Sequence, residues 1–150
     1  MTGQPGQVPA VAEVLRFDHA GLSVADLERS HLFYAQVLGF DRVEHDFTLP
    51  EHEIRGRVLL NAGGVRIELF ERRGSRHVRR GHPTEGALVQ GWFQFALATH
   101  DIHASFARVV AAGARSLMAP RIAPDGCSWV AFIGDPDGNL VELLQRSAPA

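Results

Sequence analysis

Apolar and polar positions change rhythm along this chain in a way that happens twice. In FDHAGLSV (17–24) apolar residues alternate with small or polar ones, the period-two signature of a half-buried strand. LERSHLFYAQVL (27–38) then groups its apolar residues at helical spacing and predicts an amphipathic helix. Asp26 stands where an N-cap carboxylate accepts the orphan N–H groups of the first turn, and Gly39 where a left-handed residue ends the last. FDRVEHDFTL (40–49), GRVLLNA (56–62) and VRIELFE (65–71) follow as predicted strands, the last two joined by a Gly-Gly turn at Gly63 and Gly64.

The second half runs through the same order. WFQFALAT (92–99) reads as a strand, Asp101 as a cap, IHASFARVVAA (102–112) as a helix and Gly113 as its end. SLMAPRI (116–122) and SWVAFI (128–133) precede the turn DPDG (135–138), whose second-place Pro and fourth-place Gly suit a type I turn, and NLVELLQ (139–145) closes the set. His19 to Gln94 and Asp26 to Asp101 are both 75 residues apart, while Gly39 to Gly113, Gly64 to Gly138 and Glu68 to Glu142 are all 74 apart. One residue lost in the second helix accounts for the difference. The pattern predicts an α+β fold of two tandem β-α-β-β-β modules, 14–72 and 91–146, joined by a linker over 73–90 and preceded by a flexible tail over 1–13.

Composition narrows the chemistry. With 150 residues, 45% hydrophobic and 21% charged, the chain suits one folded domain made of two halves. All 15 of its basic residues are Arg, which excludes Schiff-base lysine chemistry and a Walker lysine. A net charge of -2 gives no global attraction to nucleic acid, and no segment approaches the roughly 20 apolar residues of a membrane span, so the expected partner is a small molecule. The single cysteine, Cys127, excludes an intrachain disulfide and a Cys-based zinc site and points to a reducing, cytoplasmic setting. It is expected to line the core or a cup beside Ser128 and Trp129. The linker concentrates Arg72, Arg73, Arg76, Arg79 and Arg80, either as a solvated loop or as guanidiniums for a carboxylate or phosphate of the substrate, with Arg72, Arg73 and Arg76 the candidates.

Strand parity then singles out four side chains. Leu22 and Val24 share one face and His19, Gly21 and Ser23 the other; Ile67 and Leu69 oppose Glu68; Phe95 and Leu97 oppose Gln94; Val141 and Leu143 oppose Glu142. The apolar rows can be covered by the two helices, which leaves His19, Glu68, Gln94 and Glu142 on the far face. Carboxylates flanked by apolar neighbours need a partner, either an Arg such as Arg57 or Arg66 or a cation. Because equivalent positions of both halves carry N or O donors, the four can converge on one divalent ion, and without a thiolate the set suits Zn, Ni, Co, Mn or Fe(II). His45, His52, His77, His82, His100 and His103 fall in loops, strands or helix starts and are weaker candidates.

FDHAGLSVADLERSHLFYAQVLGF, VRIELFE and FIGDPDGNLVELLQ together resemble the vicinal oxygen chelate superfamily, which includes glyoxalase I, methylmalonyl-CoA epimerase, extradiol dioxygenases and the fosfomycin and bleomycin resistance proteins. The resemblance covers about 15–146. It implies paired modules forming an open, cup-shaped mixed sheet, with metal ligands on the first and fourth strands of each module: here His19, Glu68, Gln94 and Glu142. Glutamine at 94, where many relatives have His, departs from the 2-His-1-carboxylate pattern of extradiol dioxygenases and turns the expectation away from oxygenase chemistry. Carried over, Glu142 is a ligand that doubles as catalytic base and Glu68 the second carboxylate, ligand or proton carrier. The resemblance implies a metal-dependent isomerase or lyase acting beside a polarised carbonyl, and a homodimer. Its alternatives are a metal-free drug-binding protein of bleomycin-resistance type, conferring antibiotic resistance, and a tailoring enzyme of secondary metabolism. A cup closed within one chain and a cup shared between two chains both remain open.

Overall fold

The structure is a computed structural model that describes residues 16–78 and 81–147. The expected tail over 1–13 lies outside the described residues, as do Arg79 and Arg80 of the linker. The first module runs β1 (His19–Val24), α1 (Leu27–Leu38), β2 (Arg42–Leu49), a single 3-10 turn (Pro50–His52), β3 (Ile54–Leu60) and β4 (Arg66–Arg72). A short helix, α2 (Pro83–Gly86), lies in the linker beyond the Arg cluster, where Pro83 sets the first-turn φ and His82 caps it. The second module repeats the first as β5 (Gln94–Ala98), α3 (Ile102–Ala111), β6 (Arg115–Ile122), β7 (Trp129–Gly134) and β8 (Leu140–Gln145).

The described strands form two four-stranded sheets of order β1-β4-β3-β2 and β5-β8-β7-β6, in which β1 runs parallel to β4, β5 runs parallel to β8 and the remaining pairs are antiparallel. α1 and α3 each begin the crossover that a parallel pair requires, and the next two strands complete it. Both helices start where the sequence put them: Asp26 accepts from the Arg29 N–H at 2.9 Å and Asp101 from the Ala104 N–H at 3.0 Å. Gly39 ends α1 in the left-handed region at φ 76, which glycine adopts without a Cβ clash.

One apolar face of each sheet is buried against its own helix. Val24, Leu27, Tyr34, Phe40, Leu59, Ile67 and Leu69 form the first core and Ile102, Val109, Ala131, Ile133, Val141 and Leu143 the second. Phe33, Leu38, Phe95 and Leu97 pack against both, so the two cores are continuous. The DPDG turn adds a polar bond between halves. Buried Asp135 accepts from the Tyr34 hydroxyl of α1 at 2.9 Å and from Asn139, while Asp137 accepts from the Ala25 N–H at 3.1 Å and from Arg29. No helix among the described residues is long and apolar enough to cross a membrane.

Candidate metal centre

Burial alternates along β1, with His19, Gly21 and Ser23 outward and Val24 buried, and along β4, with Ile67 and Leu69 buried on either side of Glu68. The parallel register sets Gly21 beside Glu68, which brings His19 Nε2 to 3.1 Å from a Glu68 carboxylate oxygen. In the second module Ala96 pairs with Glu142, and Gln94 Nε2 donates to the Glu142 carboxylate. Both pairs lie on the sheet faces turned away from the helices. The Arg alternatives are used elsewhere. Arg57 lies on the helix face and is held by Asp46, Glu28 and His31, and Arg66 is held by Glu44.

Asp18 adds a residue that parity alone did not reveal. Its Oδ1 lies 2.8 Å from His19 Nδ1. A proton kept on Nδ1 by this carboxylate leaves the Nε2 lone pair facing Glu68, the usual way a carboxylate orients a ligating imidazole. Asp18 raises the imidazole pKa above its ordinary value; desolvation opposes this and Glu68 adds to it. The Asp-His dipeptide at the start of β1 was the available signal. Burial in the sheet face pushes the Glu142 carboxyl up, against the lowering hydrogen bond from Gln94.

Two observations fit a cation. A lone pair of His19 facing a carboxylate oxygen calls for a proton or a positive ion between them. The Gln94 Oε1 is buried without a hydrogen-bond partner among the described residues, although its amide nitrogen is used, and an orphaned buried acceptor is costly unless something positive meets it. The donors come together as two pairs, however: no group of three His, Cys, Asp or Glu side chains meets among the described residues.

β1 and β5 are each the outer strand of a sheet, and a cleft of about 690 Å³ lies between them, with His19 and Gln94 on its walls beside Phe17, Trp92 and Phe93. Arg76 and His77 of the linker also line it. Arg72 ends β4, and Arg72 and Arg73 are exposed. Cys127 corrects an expectation, since it is exposed in the β6–β7 connection rather than lining the core. Its N–H donates to Asp125 at 3.0 Å in a tight turn that leaves the thiol outside, while Ser128 next to it is buried.

Residues 16–143 match the family described as the Glyoxalase/Bleomycin resistance protein/Dioxygenase superfamily. The chain belongs to that superfamily. Within it, the chain is 30% identical over 137 residues to a probable lactoylglutathione lyase of Vibrio cholerae, covering 87% of this chain and 91% of that one. It is 36% identical over 75 residues to the mitochondrial methylmalonyl-CoA epimerase of Bos taurus, half of this chain and 41% of that protein. Glyoxalase I of Zea mays shares the fold with a TM-score of 0.69 at 24% identity over 89% of this chain; the chain spans only 45% of the maize protein. The superfamily fold, paired modules with open mixed sheets, is the one described above.

Proposed function

We propose that the protein is a metal-dependent isomerase or lyase of glyoxalase I or epimerase type that moves a proton beside a polarised carbonyl. The observation that carries this reading is a pair of donors at equivalent positions of two repeated modules, one pair including a buried amide oxygen without a partner among the described residues. Nε2 of His19, Oε1 of Gln94 and the carboxylates of Glu68 and Glu142 would hold a divalent ion: Zn, Ni, Co, Mn or Fe(II). When bound, such an ion supplies Lewis acidity that draws electron density from a substrate carbonyl. Glu142 takes the proton from the adjoining carbon and returns it to its neighbour, the acid-base role a positioned carboxylate can fill. Glu68 is the second carboxylate, and Asp18 orients His19. Arg76, on the cleft wall, suits a substrate carboxylate or phosphate, with Arg72 and Arg73 at the end of β4.

The donor pairs meet when two chains associate, His19 and Glu68 of one with Gln94 and Glu142 of the other. The outer places of β1 and β5 among the described strands, and exposed Phe17 and Trp92 beside them, support a homodimer of this kind. The Vibrio relative's name supplies the substrate class. Lactoylglutathione is a thioester whose cleavage by a lyase gives a thiol and a 2-oxoaldehyde, so the substrate proposed is a thiol adduct of a 2-oxoaldehyde, handled in the reducing cytoplasm. The test is turnover of the glutathione–methylglyoxal hemithioacetal by protein loaded in turn with Zn, Ni, Co, Mn and Fe(II). Metal-dependent conversion is expected; no metal uptake and no turnover would overturn the reading. The apolar walls of the cleft favour one second reading, a metal-free drug-binding protein of bleomycin-resistance type. That reading predicts tight binding of bleomycin by protein stripped of metal.

A further inference from the structure

A second cleft, of about 690 Å³, opens where the two modules meet around the DPDG turn. It shares Ala25, His77 and Asp137 with the first cleft, but none of the four metal donors lines it. Its acceptors and donors are unequally matched. Asp135 uses both carboxylate oxygens inside the fold: one accepts from the Asp137 and Asn139 N–H groups at 2.9 and 2.7 Å, the other from the Tyr34 hydroxyl and the Asn139 amide at 2.9 and 2.8 Å. Asp137 accepts from the Ala25 N–H, the Ser30 hydroxyl and Arg29. The donors are left over. Arg29 gives only Nη2 to Asp137, and the Arg115 guanidinium and the His77 ring have no hydrogen-bond partner among the described residues. Bare glycine backbone seats both groups. Arg115 on β6 is the register partner of Gly134 on β7, and a Cβ at 134 would lie 3.3 Å from Arg115 Nε, so the missing side chain gives the guanidinium its place. A Cβ at 138 would lie 3.4 Å from His77 Cε1, which sets the ring against the turn. Phe33 and Pro136 supply apolar surface in the same cleft.

We propose that this cleft is a second binding site, separate from the metal donors, that takes the phosphate of a small phosphate ester. Arg115 holds two phosphate oxygens with its planar fork, Arg29 and His77 donate to the others, and Phe33 and Pro136 meet the carbon body of the ester. A cleft whose carboxylates are already satisfied, and whose guanidiniums are not, calls for a ligand made of acceptors. A tetrahedral dianion suits it better than a planar carboxylate, because the donors come from three directions: α1, the linker and β6.

Metal-free protein, in which phosphate has no metal to bind, is titrated with phenyl phosphate and with benzoate at constant ionic strength, by calorimetry and by two-dimensional amide spectra. Phenyl phosphate is expected to shift the Gly113 and Gly134 amides saturably and to leave Gly21, beside the metal donors, unmoved. Arg115→Gln should weaken binding about tenfold, the loss of a charge-assisted fork. Arg115→Lys, which keeps the charge without the fork, should lose less, and Arg76→Gln in the first cleft should lose nothing. Arg115 is exposed, so neither exchange at 115 removes a core contact. Absence of a saturable shift, benzoate binding as tight as phenyl phosphate, or binding that survives Arg115→Gln would overturn the site. So would binding that moves Gly21 and is lost in Arg76→Gln, which would put the anion in the first cleft. No metal and no turnover enter these measurements, so the isomerase or lyase reading stands or falls separately.

Discussion

Glu142 is the side chain on which the proposed chemistry turns, because it is the carboxylate that Gln94 holds on the helix-distal face of the second sheet. Burial raises its pKa, and the hydrogen bond from Gln94 and the charge of Arg146 lower it, with burial the largest cause. Exchange for an amide keeps the shape and an oxygen donor but removes the base. Glu142→Gln is therefore expected to retain metal uptake and the far-UV spectrum while losing about 10²–10⁴-fold in kcat. Turnover close to that of the unmodified protein would remove Glu142 from the role of base. The common face of His19, Glu68, Gln94 and Glu142 in their sheets was legible from strand parity, since β-strands alternate faces and the register obeyed that alternation. Asp18 was missed because it precedes the strand and works through His19, and Cys127 was misplaced because its orientation depends on a turn that Asp125 holds.

At the scale of elements, α1 and α3 are each capped by their own module's fourth strand. A Glu71 carboxylate oxygen accepts from the Leu27 N–H at 2.7 Å and Gln145 Oε1 accepts from the Ile102 N–H at 2.8 Å, positions 74 residues apart that extend the internal repeat. Only the first cap titrates. Arg55 above all, and the Leu27 N–H, hold the Glu71 carboxyl below its ordinary value of 4.5. A carboxyl depressed on folding adds stability above its unfolded value, and that contribution disappears as pH falls through the folded value. Glu71→Gln, which copies the second module's cap, is expected to lower neutral stability by about 1 kcal/mol or less, because the pair with Arg55 is partly exposed. Urea denaturation across pH should show the two proteins converging below pH 4.5 as the carboxyl of the unmodified protein protonates. A constant gap down to acid would show that the Glu71 charge contributes nothing to the cap.

For the whole molecule, the arrangement of the half-sites predicts an experiment that no single chain can satisfy. One variant carries His19→Ala and Glu68→Ala, the other Gln94→Ala and Glu142→Ala, and each is inactive alone. If a site is built from the first module of one chain and the second of another, unfolding and refolding them together produces mixed dimers with one intact site. Random pairing then restores roughly a quarter of unmodified activity. A cup closed within each chain restores none. The intrachain bonds of Asp135 to Tyr34 and of Asp137 to Arg29, both on α1, bear on the same point, since they hold the two modules in one arrangement with β1 and β5 outermost among the described strands.

The β-α-β-β-β repeat, the caps at Asp26 and Asp101, the DPDG turn and the faces of His19, Glu68, Gln94 and Glu142 were all readable in one dimension. They depend on periodicity and on interactions within a few residues, which the order of side chains sets directly. The pairing of His19 with Glu68 and of Gln94 with Glu142 needed strand order and register, which come from hydrogen bonds between distant segments. The edge-to-face contact of Phe47 with Phe70 needed more still. Phe47, Gly56 and Phe70 lie on three strands, and only when the sheet aligns them does the glycine become the space into which a ring leans. Local patterns placed the donors on their strands; packing between strands chose their neighbours, because contact distance is a property of the folded chain.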